Sequence, residues 1–445
     1  MLNINEAKTS ELKYYSHPLI DPLIDSNFKQ VRYNEGIKYF LGMLSLSQFK
    51  RQKFILSNNT NKKIDDFSWF PYELYRKLFG DINYKNILNF LITNGIIIKE
   101  ERPGKFKHTF SVYKFSDPKY TVNFTKKKIN SYILKKQISK YYEWRKKRFS
   151  DFDTQLFNNM IEDIVKIDIT KEQLDEIYKN KFNTSYKGKL SYDEYMKISD
   201  ITFNIVDYWN NSATYDEKME MMSAPVDGGR IYHILTNIPK ECRKYIRGKN
   251  NKLQKYNEFD MKNCQPTFLA DEMKKSDPSL VFMDDFIKSV ENSTIYETIM
   301  KHFNNSITRD EAKVYMMKFM YCQKNQKDQE VFESIFPYAG RWIKNNWKSK
   351  DYYEDDSNGK KVRKVPLAHH LQMLEATAFR DVWKYCLDNN ITFFTCHDAI
   401  YIAGIDCYSK KKSIKNMIYS KICKYVNIRF KISDGGKARG RKRKV

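Results

Sequence analysis

The sequence predicts an α+β protein built from more than one module, and three observations carry that reading. The 445 residues are 41% hydrophobic and 15% aromatic, enough for two or three cores. Apolar residues recur at helical spacing over long stretches, while short β-branched and aromatic runs such as "IIIKEE", "KHTFSVYKF" and "FFTCHDAIYIAG" interrupt that period. Only 11 Pro and 15 Gly occur, so long flexible linkers are not expected.

Charge narrows the partners. There are 79 Lys+Arg against 54 Asp+Glu, a formal net charge of +25. A surplus that large points to a polyanion, either nucleic acid or an anionic membrane surface. No apolar run is long enough to cross a bilayer, and "MLNINEAKTSELKYY" lacks the cationic and apolar parts of a secretory signal. The seven cysteines are odd in number, scattered and without a CxxC, which argues for free thiols in a reducing compartment and against a zinc site. A cytoplasmic location follows as the expectation.

Residues 1–32 read as an irregular segment. Ile37, Phe40, Leu41, Leu44 and Phe49 mark a helix over 34–53. "FPYELYRKLFG" is a short helix ending at Gly80, and "INYKNILNFLITNG" a second one, with Ile82, Ile87, Leu88 and Leu91 inward and Gly95 as its stop. "RPGK" is a turn between two strands. Helix, turn, helix and hairpin over 33–117 resemble a winged helix-turn-helix; the second helix would read duplex DNA and Lys105 or Lys107 would meet phosphate. The same order of elements also serves as a generic small scaffold. From Lys126 to Phe149 a basic helix is expected, with Ile129, Ile133, Leu134, Ile138 and Tyr141 on one face. Its cationic faces fit either plain solvation or the gripping of a strand. Residues 118–224 form a helical linking region, and the tail from 434 to 445, with six basic residues in its last nine, adds phosphate contacts.

The chemistry gathers in 225–433. His397 and Asp398 interrupt an apolar strand pattern, and Asp260 ends another strand-like run, "YNEFD", before a polar turn and a helix. A carboxylate in such a setting is costly unless it is paired or binds a metal. Two of them could hold two divalent cations for phosphoryl transfer, or each could cap its own turn. In "TRDEAKVYMMKFMYC", Arg309 and Lys313 stand one helical turn apart, with Tyr321 two turns beyond. Two fixed cations and an aromatic ring suit a triphosphate and a base.

These segments, in this order, resemble motifs A, B and C of the family A DNA polymerases and their single-subunit RNA polymerase relatives. "GGRIYHILTNIP" and "LAHHLQMLEATAF" are similar to two further family segments. The resemblance covers roughly residues 225–430. It implies a right-hand polymerase palm with fingers at about 285–365, a thumb-like role for the helical region before it, and no proofreading exonuclease. It also implies roles for named residues. Asp260 and Asp398 would bind two Mg²⁺, or Mn²⁺ in their place. Arg309 and Lys313 would hold the nucleoside triphosphate, with Lys313 protonating the leaving pyrophosphate. Tyr321 and Met317 would lie at the nascent base pair, and Gln265 beneath the ribose. Arg230 and Gln372 would touch the growing duplex, and His397 the primer terminus. This chain departs from the pattern at Gln265, Met317, Cys322 and Ala399. The expectation is a DNA-directed DNA polymerase that replicates a plasmid, phage or similar mobile element in a bacterial cytoplasm. Its partners would be a primer-template, an origin duplex and nucleoside triphosphates. The alternatives are an RNA polymerase or primase, and a non-catalytic replication initiator.

Overall fold

The computed structural model describes residues 12–58, 67–103, 109–121, 125–147, 149–184, 191–212, 215–222, 229–249, 252–277, 285–321, 326–347, 353–355, 361–363 and 367–434. Helices and small antiparallel sheets are mixed throughout, so the α+β class holds. The chain divides into two compact units: residues 1–222 with 233–253, and residues 223–232 with 254–445.

The first unit opens with strand β1 (Lys13–Ser16) and helix α1 (Asp21–Asn27), where an irregular segment was expected. The reason is long-range pairing. Lys13 to Ser16 pair antiparallel with Lys128 to Thr125, and a four-residue strand whose partner lies more than a hundred positions away leaves no local pattern. The long helix α2 (Val31–Asn58) follows, then α3 (Tyr72–Phe79) and α4 (Asn83–Thr93). Gly80 and Gly95 end these two helices at φ +80° and +63°, a region open to glycine because it has no Cβ. Ile87, Leu88 and Leu91 face the core as expected, but Ile82 is 85% exposed, because it precedes the first turn of α4. The hairpin β2 (Ile97–Pro103) and β3 (Thr109–Phe115) pairs Ile97 with Phe115 through Pro103 with Thr109. Ser68 bridges to Tyr113 of β3 by two backbone hydrogen bonds. Lys105 and Lys107 lie outside the described residues.

The basic run at Lys126 begins as a strand, β4 (Thr125–Lys128), and only then becomes helix α5 (Tyr132–Lys146). Pairing with β1 overrides helix propensity there. Ile129, Leu134, Ile138 and Tyr141 are buried, and Ile133 points outward. Together with Ile37, Phe40, Leu41 and Leu44 of α2, Leu74 and Leu78 of α3, and Leu88 and Leu91 of α4, they form one core. The rest of the unit is helical: α6 (Asp151–Asp163), α7 (Lys171–Thr184), α8 (Tyr192–Asp207) and α9 (Tyr215–Glu220), with a two-residue ladder between β5 (Lys166–Ile167) and β6 (Ile246–Arg247). Ser150 caps α6 by accepting from the backbone N–H of Asp153 at 3.0 Å.

The second unit is organised on a four-stranded antiparallel sheet. Its strands are β7 (Tyr256–Met261), β10 (Phe393–Cys396), β11 (Ala399–Ala403) and β12 (Ile432–Ser433), in the order β10-β11-β7-β12. Helix α10 (Cys264–Ser276) leaves β7 through Asn263, whose φ of +54° is the left-handed conformation that asparagine tolerates. Helices α11 (Asp285–Asn292), α12 (Ile295–His302), α13 (Arg309–Tyr321), α14 (Gln326–Ile335) and α15 (Pro337–Trp347) follow in sequence. The hairpin of β8 (Tyr353–Asp355) and β9 (Lys361–Arg363) comes next. Helix α16 (Leu367–Asp388) packs against α10, α13 and α17 (Tyr408–Ile422). The basic tail beyond residue 434 lies outside the described residues. Among the described residues no helix is long and apolar enough to cross a membrane.

Candidate functional site

Strand alternation places the first carboxylate. Along β7, Phe259 and Met261 are buried on one face, so Glu258 and Asp260 project from the other. Asp260 pairs with Ala399 on β11 and with Ser433 on β12, which makes it a central position of the sheet. The second carboxylate comes from the two-residue turn between β10 and β11, where Cys396 pairs with Ala399. His397 takes φ +58° there, a strained value for a residue with a side chain. The backbone N–H of Met261 donates to the carbonyl of Asp398 at 3.1 Å, which ties the turn to the end of β7. Asp260 on β7 thus faces Ala399, the residue after Asp398, so the two carboxylates meet at one end of the sheet although they are 138 positions apart in sequence (398 − 260).

Burial raises the Asp398 carboxyl above the ordinary range, against the pull of the Arg230 and Lys313 charges, while Glu258 adds to the rise. Glu258 accepts a 2.6 Å hydrogen bond from the Tyr401 hydroxyl. His397 meets Tyr232 edge-on at 5.5 Å, so the segment carrying Arg230 runs beside the turn.

Arg230 itself is held by Glu375 on α16. Its Nε donates to Oε1 and its Nη2 to Oε2, each at 2.7 Å. Glu375 is only 1% exposed. The Gln265 amide nitrogen also donates to Glu375 Oε2, and the Cys264 thiol lies 3.6 Å from the same oxygen. Burial pushes the Glu375 carboxyl up and Arg230 pulls it down. Burial works to lower Arg230, yet its bonds and charge pairing with Glu375 hold it above its usual value. Gln265, expected beneath a ribose, thus sits buried at the root of α10 with its amide committed to Glu375. Gln372 is half-buried on α16, one turn before Glu375.

Helix α13 brings the cations. Arg309 is exposed, hydrogen-bonds Glu297 at 3.1 Å and lies over the Tyr296 ring at 4.7 Å. Lys313 is exposed, and Met317, one turn further on, is half-buried. The side chain of Tyr321, at the last position of α13, lies outside the described residues. Burial pushes the Tyr296 hydroxyl up to about 12; Arg309 pulls the other way, and the Asp398 and Asp260 charges add to the rise. Asp398 is thus within electrostatic reach of Arg230 and Lys313, Asp260 and Asp398 both act on Tyr296, and Gln265 joins the cluster through Glu375. Glu375 and Tyr296 were missed in the sequence. Glu375 stands in an otherwise apolar stripe of Leu371, Ala378 and Phe379, and that single carboxylate was the available signal. For Tyr296 there was none.

Among the described residues no cluster of three or more His, Cys, Asp or Glu forms a metal cage. Two adjoining carboxylates fit a different use. A hard divalent cation such as Mg²⁺ is commonly held by one or two carboxylates and completed by substrate phosphates and water.

No protein-family model matches the chain. A protein of the Sputnik virophage described as "Putative helicase V13" is 25% identical over 290 residues, which is 59% of this chain and 33% of that protein. The chain therefore spans about a third of the length of this relative. The finding overturns the DNA polymerase expectation and its polymerase, primase and non-catalytic alternatives, because the relative is described as a helicase. The physical reason lies in what the motifs encode. Paired carboxylates with nearby cations serve phosphoryl transfer in general, and their spacing does not specify the acceptor. The 445 residues also contain no G-x-x-x-x-G-K-[S/T] phosphate-binding run.

Proposed function

We propose that this chain is a nucleotide-dependent enzyme of DNA replication in a mobile genetic element, with its nucleoside-triphosphate site on the four-stranded sheet of the second unit. The observation that carries the proposal is the side-by-side placement of Asp260 and Asp398 on β7 and at the β10–β11 turn. The virophage relative supports the replication setting and the nucleotide dependence. The resemblance of the sequence motifs around Asp260 and Asp398 to those of a palm supports the placement of the site. In this reading Asp260 and Asp398 hold Mg²⁺, and Arg309 and Lys313 on α13 bind phosphate oxygens. When bound, the cation neutralises the triphosphate and polarises the phosphorus–oxygen bond under attack. Duplex or single-stranded DNA is the polyanionic partner, engaged through the net charge of +25.

The test is binding of Mn²⁺ with the non-hydrolysable analogue AMPPNP, followed by loss of the free Mn²⁺ electron paramagnetic resonance signal. Asp260→Asn and Asp398→Asn should each weaken it at least about tenfold. Release of orthophosphate or pyrophosphate from ATP, with and without DNA, then reports which bond is broken, and separation of a tailed duplex reports the use made of it. Wild-type protein that binds no nucleotide would sink the proposal.

A further inference from the structure

A cation stands beside the turn that carries Asp398, because Tyr232, two residues after Arg230, packs edge-on against His397 at 5.5 Å, and that is a difficulty. Arg230 acts electrostatically on Asp398, and a bare guanidinium there competes with a divalent cation for the same carboxylate. Three observations show how the chain deals with it. Arg230 meets Glu375 side-on through Nε and Nη2, both at 2.7 Å, the strongest geometry available to a guanidinium. Glu375 is 1% exposed and Arg230 16% exposed at the side chain, so water screens their attraction little. Gln265 and Cys264, at the start of the helix that follows Asp260, hold the same Glu375 oxygen.

We infer that Glu375 is a positioning residue whose charge cancels that of Arg230 beside the Asp260–Asp398 pair and so keeps the pair open to a divalent cation. The inference rests on the cation–nucleotide reading of the site but assigns a role to a residue outside it. The guanidinium has five N–H donors. Two are used by Glu375, which makes the pair formally neutral while holding the guanidinium in place. Gln265 and Cys264 couple this lock to the first turn of α10, and hence to the end of β7 where Asp260 stands.

The role makes predictions of opposite sign for the two partners. Glu375→Gln keeps the shape but frees the positive charge, so Mn²⁺–AMPPNP binding should weaken by about 10- to 100-fold. Arg230→Gln leaves a negative charge near the pair, so Mn²⁺ binding should hold or tighten. The double variant Arg230→Gln/Glu375→Gln carries neither charge and should return to within about threefold of wild type. A purely structural role gives a different pattern: both single variants weaken binding, and the double variant recovers nothing. Thermal unfolding accompanies each measurement, and if Glu375→Gln does not fold, Arg230→Gln and the double variant carry the comparison. Unchanged binding in folded Glu375→Gln, weakened binding in Arg230→Gln, or a double variant weaker than threefold from wild type overturns the inference. A wild-type chain that binds no Mn²⁺ overturns the cation-site reading and this inference with it.

Discussion

At the scale of single residues, the site sets function against stability. Asp398 keeps a carboxyl that burial pushes upward, which means the folded chain disfavours its charge. Asp398→Asn removes that charge at nearly constant shape. It should stabilise the metal-free protein by about 1 kcal/mol and so raise its melting temperature, while weakening Mn²⁺–AMPPNP binding at least about tenfold. A calorimetric scan beside the binding titration checks both halves, and a variant with a lower melting temperature contradicts the first. Glu272 illustrates the reverse case. Its carboxyl is held below the usual range chiefly by the hydrogen bond from His370 Nε2 at 3.0 Å, with Lys275 assisting. A depressed folded value contributes stability that is present above the unfolded value and is lost as the pH falls through the folded one. The difference in melting temperature between wild type and Glu272→Gln should therefore be visible at neutral pH, worth less than about 1 kcal/mol, and should shrink to nothing at the acid end of the carboxylate range.

At the scale of elements, what could be read in advance depended on distance along the chain. Helices α2, α3 and α4 announce themselves through apolar spacing and through Gly80 and Gly95. Asp260 and Asp398 were legible because a carboxylate stands out in a β-branched run. The turn that delivers Asp398 was legible because His397 and Asp398 interrupt an apolar strand pattern. By contrast, β1 and β4 pair across more than a hundred residues, and Arg230 finds Glu375 across 145, so neither contact leaves a trace in the local pattern. Gln372 was singled out on α16 from the family likeness, while Glu375, one turn on, was passed over because a lone helical glutamate most often faces water. Packing between elements gives its own prediction. A Cβ built at Gly42, in the middle of α2, would fall inside the ring of Tyr15 on β1. Gly42→Ala should gain helix propensity yet lose more through overpacking, a net destabilisation of about 1–3 kcal/mol. Chemical unfolding measures it, and a stabilised variant would show that β1 yields easily.

At the scale of the whole molecule, charge and chain path matter most. The +25 surplus predicts that binding to any DNA weakens steeply with salt, with the logarithm of affinity falling linearly against the logarithm of salt concentration. Filter binding at several ionic strengths measures the slope; an affinity indifferent to salt would remove nucleic acid as the reason for the surplus. The path is the other feature. Residues 223–232 belong to the second unit, although residues on both sides of them, up to 222 and from 233 to 253, belong to the first. That short stretch supplies Arg230, the counter-charge of a carboxylate buried on α16. The second unit therefore has no single point in the gene at which it begins. A recombination event that joined a new front half at codon 254 would deliver a sheet and its aspartates but strand Glu375 without its ion, and one at codon 223 would part β5 from its partner β6, so exchange between related genes should be selected against at both points.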